Sequence, residues 1–458
     1  MNIQKIKSIY REKGGVAEML SIALPMIIST ACDGVMTFTD RFFLAKLGPE
    51  QMNAAMGGGI MMQTLMFFFI GLVGYTTALS AQYYGSGKRE FAPVAAFQAF
   101  LVVVAAYPVI LMLVTPAKYL FDVIGIPESQ MVYQYNYIDI LVVGALPAML
   151  RHAMGCYFSG IGRTGVVMLA TMAAMAVNVG LDYILIFGNF GAPAMGIEGA
   201  AIATISGSIF AVLILVFLYF SRGHRREFSV MKSFRFHPAV MKQLLYFGYP
   251  AGLEFFLNFC AFSMMILLFH AQGETVATAS TIMFNWDMVA FIPLIGIEIA
   301  VTSLVGRYMG GGEPDIAHRS AMSGIRTGIW YSAIMFAAFV FFPEFLVNVF
   351  RPEGGSAVFE EAAPVAVTMV RIASVYVLAE SMMVSFMGAL RGAGDTHWAM
   401  IASVSFNWLS VPVLYLMFEW FHVSAIDAWI MLVAFFMMFC AVLFFRYRGG
   451  KWRDIRVV

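Results

Sequence analysis

Twelve apolar stretches constrain this chain more than any other feature; they lie near residues 17–44, 54–82, 92–115, 133–158, 165–187, 197–220, 243–270, 276–306, 321–342, 363–389, 398–418 and 425–445. A membrane span needs about 20 mainly apolar residues, and in lipid a helix satisfies all its backbone polar groups internally. The chain is 61% hydrophobic and 12% charged, against roughly 25% charged for soluble proteins, so the soluble globular class is excluded. Its 43 Phe, 35 Met and 41 Gly suit helices packed in lipid, where small residues let backbones approach and apolar bulk faces the tails. The fold class is therefore all-α integral membrane, with twelve transmembrane helices and the lipid bilayer as partner.

Charge excludes further classes. A net charge of +1 leaves no basic footprint for nucleic acid, so no nucleic-acid partner is expected. Cys32, Cys156, Cys260 and Cys440 lie inside apolar runs without paired spacing and form neither a disulfide framework nor a zinc site. The polar, basic start runs into a full-length apolar segment without a cleavage signal, so no removable leader is expected. The N-terminus and the loops after even-numbered spans carry most of the Lys and Arg, among them Lys5, Lys7, Arg11, Lys88, Arg89, Arg222, Arg225, Arg226, Lys232 and Arg235. Positive loops stay cytoplasmic, so both termini are expected there.

The longest strongly charged connection, 221–242, divides the spans six and six: residues 1–220 hold spans one to six and 243–458 hold spans seven to twelve. At one constant offset, Pro25, Gly48, Ala54, Gly71, Thr77, Tyr83, Gly85 and Gly87 fall on Pro250, Gly273, Ala279, Gly296, Thr302, Tyr308, Gly310 and Gly312. A second register pairs Gly160-Ile-Gly162-Arg-Thr164 with Gly392-Ala-Gly394-Asp-Thr396. Six spans per repeat give both halves the same orientation, a parallel pseudo-two-fold that places a substrate site between the halves near the midplane.

Ionisable groups at mid-bilayer cost about 2.5–3.5 kcal/mol each, so each needs a reason. Asp40 lies late in span one, and Asn178 and Asp182 stand one turn apart on span five. Such oxygen donors suit a small hard cation, and carboxylates equally take protons. The competing reading pairs Asp40 with Arg41. Tyr376 and Glu380 are likewise one turn apart, with salt bridging of Glu380 to Arg371 as the alternative. Asp287 and Glu298 stand three turns apart on span eight and are expected to line a cleft, unless Arg326 or Arg371 takes them. His152 and His270, on unrelated spans, are read as polar packing, and the loop histidines, His224 among them, as carrying no signal. The Met61-Met62, Met264-Met265 and Met382-Met383 pairs could line a deformable wall or face lipid. HExxH, GxSxG and nucleotide-loop motifs are absent, which leaves a membrane-bound enzyme as a remote alternative.

Asn178-Val-Gly-Leu-Asp182-Tyr-Ile-Leu-Ile-Phe-Gly188 and Gly196-Ile-Glu-Gly199-Ala-Ala-Ile-Ala-Thr204, with Leu24-Pro25, Asp40 to Gly48, Gly248-Tyr-Pro250, Phe291-Ile-Pro293 and Ala389-Leu-Arg391-Gly392-Ala-Gly394, form an ordered set across both repeats. It resembles the multidrug and toxic compound extrusion (MATE) family of cation-coupled antiporters. The resemblance implies two six-helix lobes around a central cleft. It also implies a secondary antiporter that exports amphiphilic, often cationic, organic compounds by alternating access in exchange for H+ or Na+, with no other cofactor. A monomer in the plasma membrane, the inner membrane of a bacterium, is expected. By similarity, Asp40, Asn178, Asp182 and Thr204 form the N-lobe coupling site, with Na+ as the possible metal. A second, altered C-lobe site would comprise Glu254, Asn258, Tyr376 and Glu380, because the acid that sodium-type members carry falls on Asn258 and Glu254 stands one turn earlier. Glu254 and Glu380 are then expected to share a cation or proton. A lipid-linked oligosaccharide flippase of the same superfamily is the alternative, and a basic cleft would favour it.

Overall fold

The computed structural model describes residues 12–124, 126–352 and 356–458. Lys5, Lys7 and Arg11, which contribute to the charge asymmetry, lie outside them. Twelve described helices are long and apolar enough to cross a membrane: α1 (Val16–Ala45), α2 (Pro49–Gly85, broken at Tyr75), α3 (Phe91–Ile124), α4 (Glu128–Gly160), α5 (Thr164–Phe187), α6 (Ile197–Tyr219), α7 (Pro238–His270), α8 (Glu274–Gly310), α9 (Pro314–Phe341), α10 (Ala357–Ala393), α11 (Thr396–Glu419) and α12 (Ala425–Arg448). Each apolar stretch has become one helix. The protein is a multi-pass membrane protein.

The two halves meet through contacts that the repeat makes reciprocal. A Cβ on Gly85 would collide with the carbonyl of Arg307, and a Cβ on Gly310 with the carbonyl of Gln82. Gly85 corresponds to Gly310, and Gln82 to Arg307, so one contact is made twice. The same holds deeper in the bilayer, where Gly71 abuts Gly252 and Gly296 abuts Ile27. Self-complementary pairs of this kind are what a two-fold axis generates. Glycine is required at these positions because backbone meets backbone, which is how helices associate where lipid removes any hydrophobic drive.

The Gly85–Gly310 contact closes the lobes at the end bearing the charged loops. Glu18 reinforces it, accepting from Tyr308 Oη at 2.7 Å and pairing with Arg307 at 3.4 Å. Pro25 and Pro250 sit inside α1 and α7, each removing one backbone hydrogen bond, so both helices can bend there. The linker is packed rather than loose: His224, Phe228 and Val230 are buried against the first half. His224 therefore departs from the reading of a signal-free loop histidine. Arg163 Nη1 lies 2.9 Å from its Nδ1, and Tyr157 Oη 2.9 Å from its Nε2. Because arginine only donates, Nδ1 must accept and Nε2–H must donate, so the neutral ring is satisfied at both nitrogens. Burial and the neighbouring Arg163 push its pKa down to about 4.

Candidate functional site

Asp40, Asn178, Asp182 and Thr204, from α1, α5 and α6, converge inside the first lobe. Asn178 Nδ2 donates to Asp40 Oδ1 at 3.2 Å. Thr204 Oγ1 lies 3.1 Å from Asp40 Oδ2 and 3.0 Å from Ala200 O, so its single proton serves one of them at a time. Asp182 is close enough to Asp40 for the two carboxylates to feel each other. Both are buried, Asp182 completely. No donor among the described residues reaches either Asp182 oxygen, and Asn178 Oδ1 is equally unpartnered. Arg41, the competing partner, makes no described ion pair with Asp40. Tyr137 of α4, close enough to feel both carboxylates, completes the surroundings and carried no sequence signal. Acceptors crowded without donors leave places that a shared proton or an oxygen-ligated cation can fill.

The second lobe does not assemble its expected cluster. Glu254 accepts from Arg391 Nη2 at 3.0 Å, and Glu298 contacts Arg391 Nη1, so one guanidinium holds two acids from α7 and α8. Glu380 faces Asp287, which the Tyr376 hydroxyl contacts. Glu380 and Arg391 are eleven residues apart on α10, about 16 Å along a helix, so Glu254 and Glu380 stand at different depths and do not share a site. Asn258, one turn from Glu254, donates to Ser403 Oγ at 2.7 Å rather than to either group. Arg371 pairs with Glu344 at 3.6 Å, not with Glu380.

A cavity of about 280 Å³ lies between the lobes, walled by α1, α2, α4, α5 and α6 on one side and α7, α8 and α10 on the other. Glu298 lines it. Asp287 does not, because eleven residues of α8 carry it to another depth. Asp33 lines the cavity and pairs with Arg151 of α4 at 2.8 Å; the sequence reading missed both. The cleft therefore offers one acid–arginine pair per lobe rather than bare acids, among Tyr75, Phe255, Met26 and aliphatic side chains. The paired methionines are not in its wall. His152 is, with Nε2 at 3.2 Å from Ile70 O and 3.5 Å from Cys156 Sγ.

Known proteins share this architecture. The chain is 26% identical over 96% of its length to a protein named probable multidrug resistance protein NorM from Thermotoga maritima, covering 94% of it. It is 24% identical to the multidrug resistance protein PmpM of Pseudomonas aeruginosa, over 90% of this chain and 86% of that protein. A solved structure described as the outward-facing conformation of a multidrug resistance MATE family transporter of the MOP superfamily superposes with a TM-score of 0.88, at 18% identity and 98% coverage of both chains. The model of the MatE family matches residues 25–184 and again 250–416. The chain belongs to the MatE family and is a membrane transporter, not an enzyme.

Proposed function

We propose that the protein is a secondary antiporter that exports amphiphilic, often cationic, organic compounds in exchange for protons or sodium ions, with both termini cytoplasmic in the plasma membrane, the inner membrane of a bacterium. The names of the NorM and PmpM relatives support the multidrug class of cargo. The observation that carries the coupling is the buried acid pair Asp40–Asp182, in which no donor among the described residues reaches either Asp182 oxygen. Asp40, Asp182, Asn178 Oδ1 and the Thr204 hydroxyl would hold a sodium ion, or the two carboxyls a shared proton. Either would relieve repulsion and desolvation that the bare pair suffers in lipid.

Asp40 lies seven residues from Asp33 on α1, about 10 Å along the helix. Occupancy of the acid pair would thus reach the cavity wall along one helix, which Pro25 lets bend. Coupling needs only that cation and cargo prefer different lobe arrangements. The cavity's apolar walls would supply affinity, and its polar pairs orientation.

Proteoliposomes loaded with a fluorescent organic cation test the reading, with proton and sodium gradients imposed separately. Flux driven by at least one gradient is expected. Flux that follows neither would contradict it.

A further inference from the structure

We propose that the segment 221–242 is a docking surface for anionic glycerophospholipid headgroups. The proposal goes beyond the transport reading and does not depend on it.

Two sets of side chains divide the segment. His224, Phe228, Val230 and Ser233 are buried and fix it to the first lobe. Arg222, Arg225, Arg226, Lys232, Arg235 and Lys242 are exposed, and none makes an ion pair, side-chain hydrogen bond or ring contact among the described residues. The one acid in the segment, Glu227, is already taken, by Arg163 at 2.6 Å and Arg89 at 3.4 Å. Six cations are thus held on an ordered scaffold without counter-charge.

Apolar groups accompany them. Met231 and Phe236 are 61% and 60% exposed, and Phe234 is partly so. The position of Phe234 gives their depth. Its ring packs on Phe97 with centroids 5.3 Å apart, and Gln98 Nε2 donates to Arg235 O at 3.0 Å. Phe97 and Gln98 lie about two turns inside α3, so this part of the segment sits at the headgroup level and not out in water. Cations beside exposed aromatic and thioether groups at that level match a negatively charged headgroup above acyl chains. Nucleic acid or a free anion would use the charges and leave the apolar groups without a role.

The test uses the full chain in detergent, titrated with palmitoyl-oleoyl phosphatidylglycerol, the matching phosphatidylcholine, or inorganic phosphate. Retained lipid is counted by native mass spectrometry and thermal stability is followed in parallel. Phosphatidylglycerol is expected to bind roughly tenfold more tightly than phosphatidylcholine, with a preference that weakens as salt rises. The variant with all six cations changed to Gln is expected to lose that preference. Should that variant fold poorly, R225Q/R226Q and K232Q/R235Q are each expected to weaken it about two- to threefold. Equal retention of the two lipids, an unchanged preference in these variants, or stabilisation by inorganic phosphate equal to that by the lipid would overturn the proposal.

Discussion

The same place in the two repeats holds opposite chemistry. In the first lobe it holds Asp40, Asn178 and Asp182; in the second the corresponding residues are Met265, Ser410 and Leu414. The backbone relationship survives the exchange, since Ser410 Oγ donates to Met265 Sδ at 3.3 Å where Asn178 donates to Asp40. The second lobe carries its acids elsewhere: Glu254 and Glu298 clamped by Arg391, and Asp287 and Glu380 facing one another. Repeat symmetry sets where helices touch, whereas lone acids cost too much in lipid to be kept twice without use. This asymmetry, with neither Asp182 oxygen reached by a donor among the described residues, underlies the proposal that the first lobe is the coupling site.

The largest expected effect follows. Asp40→Asn and Asp182→Asn should each lower gradient-driven efflux by about 100-fold or more, with membrane expression unchanged; a variant that still transports at the wild-type rate would break the distinction between the lobes. Arg391→Met should act on stability instead. It leaves two acids buried without their shared cation, a loss of about 3–5 kcal/mol, read as a lower melting temperature in detergent.

The two lobes also differ in what they present to the cavity. Ser29 lines it and Asp287 does not. Ser29→Cys should react with a water-soluble thiol reagent about tenfold faster than Asp287→Cys, and saturating substrate should protect it. Rapid labelling at Asp287→Cys would return that acid to the cleft.

The smallest effect concerns His224. Its folded-state pKa is pushed down to about 4, whereas the unfolded ring titrates near 6.5. Between those values the unfolded chain takes a proton that the folded chain refuses, so stability falls as pH drops through that window and is fully retained above it. The expected loss is about 1 kcal/mol, allowing for solvent screening, and His224→Phe should flatten the dependence of melting temperature on pH from 7 to 4.

The twelve spans and the repeat are legible because apolar length and small residues at fixed offsets are one-dimensional signals. Asp40, Asn178 and Asp182 stand out for the same reason, as polar groups inside apolar runs. Partner choice was less legible. Glu254, Glu380 and Arg391 all lie within spans, and which of them meet depends on depth: the eleven-residue separation of Glu380 and Arg391 decides the matter, not residue type. The pairing of Asp33 with Arg151 is not legible because opposite charges on separate spans give no local pattern. His224 escaped because a polar loop offers no hint of burial.

The proposed function has the acid pair of the first lobe hold the coupling cation. Its most direct test is equilibrium binding of radiolabelled sodium, with substrate-induced proton release measured in parallel in weak buffer, on the wild type, Asp182→Asn and Glu380→Gln. Whichever cation signal the wild type gives should vanish in Asp182→Asn and persist in Glu380→Gln. A signal that survives Asp182→Asn and disappears in Glu380→Gln would contradict the account and move the coupling site to the second lobe.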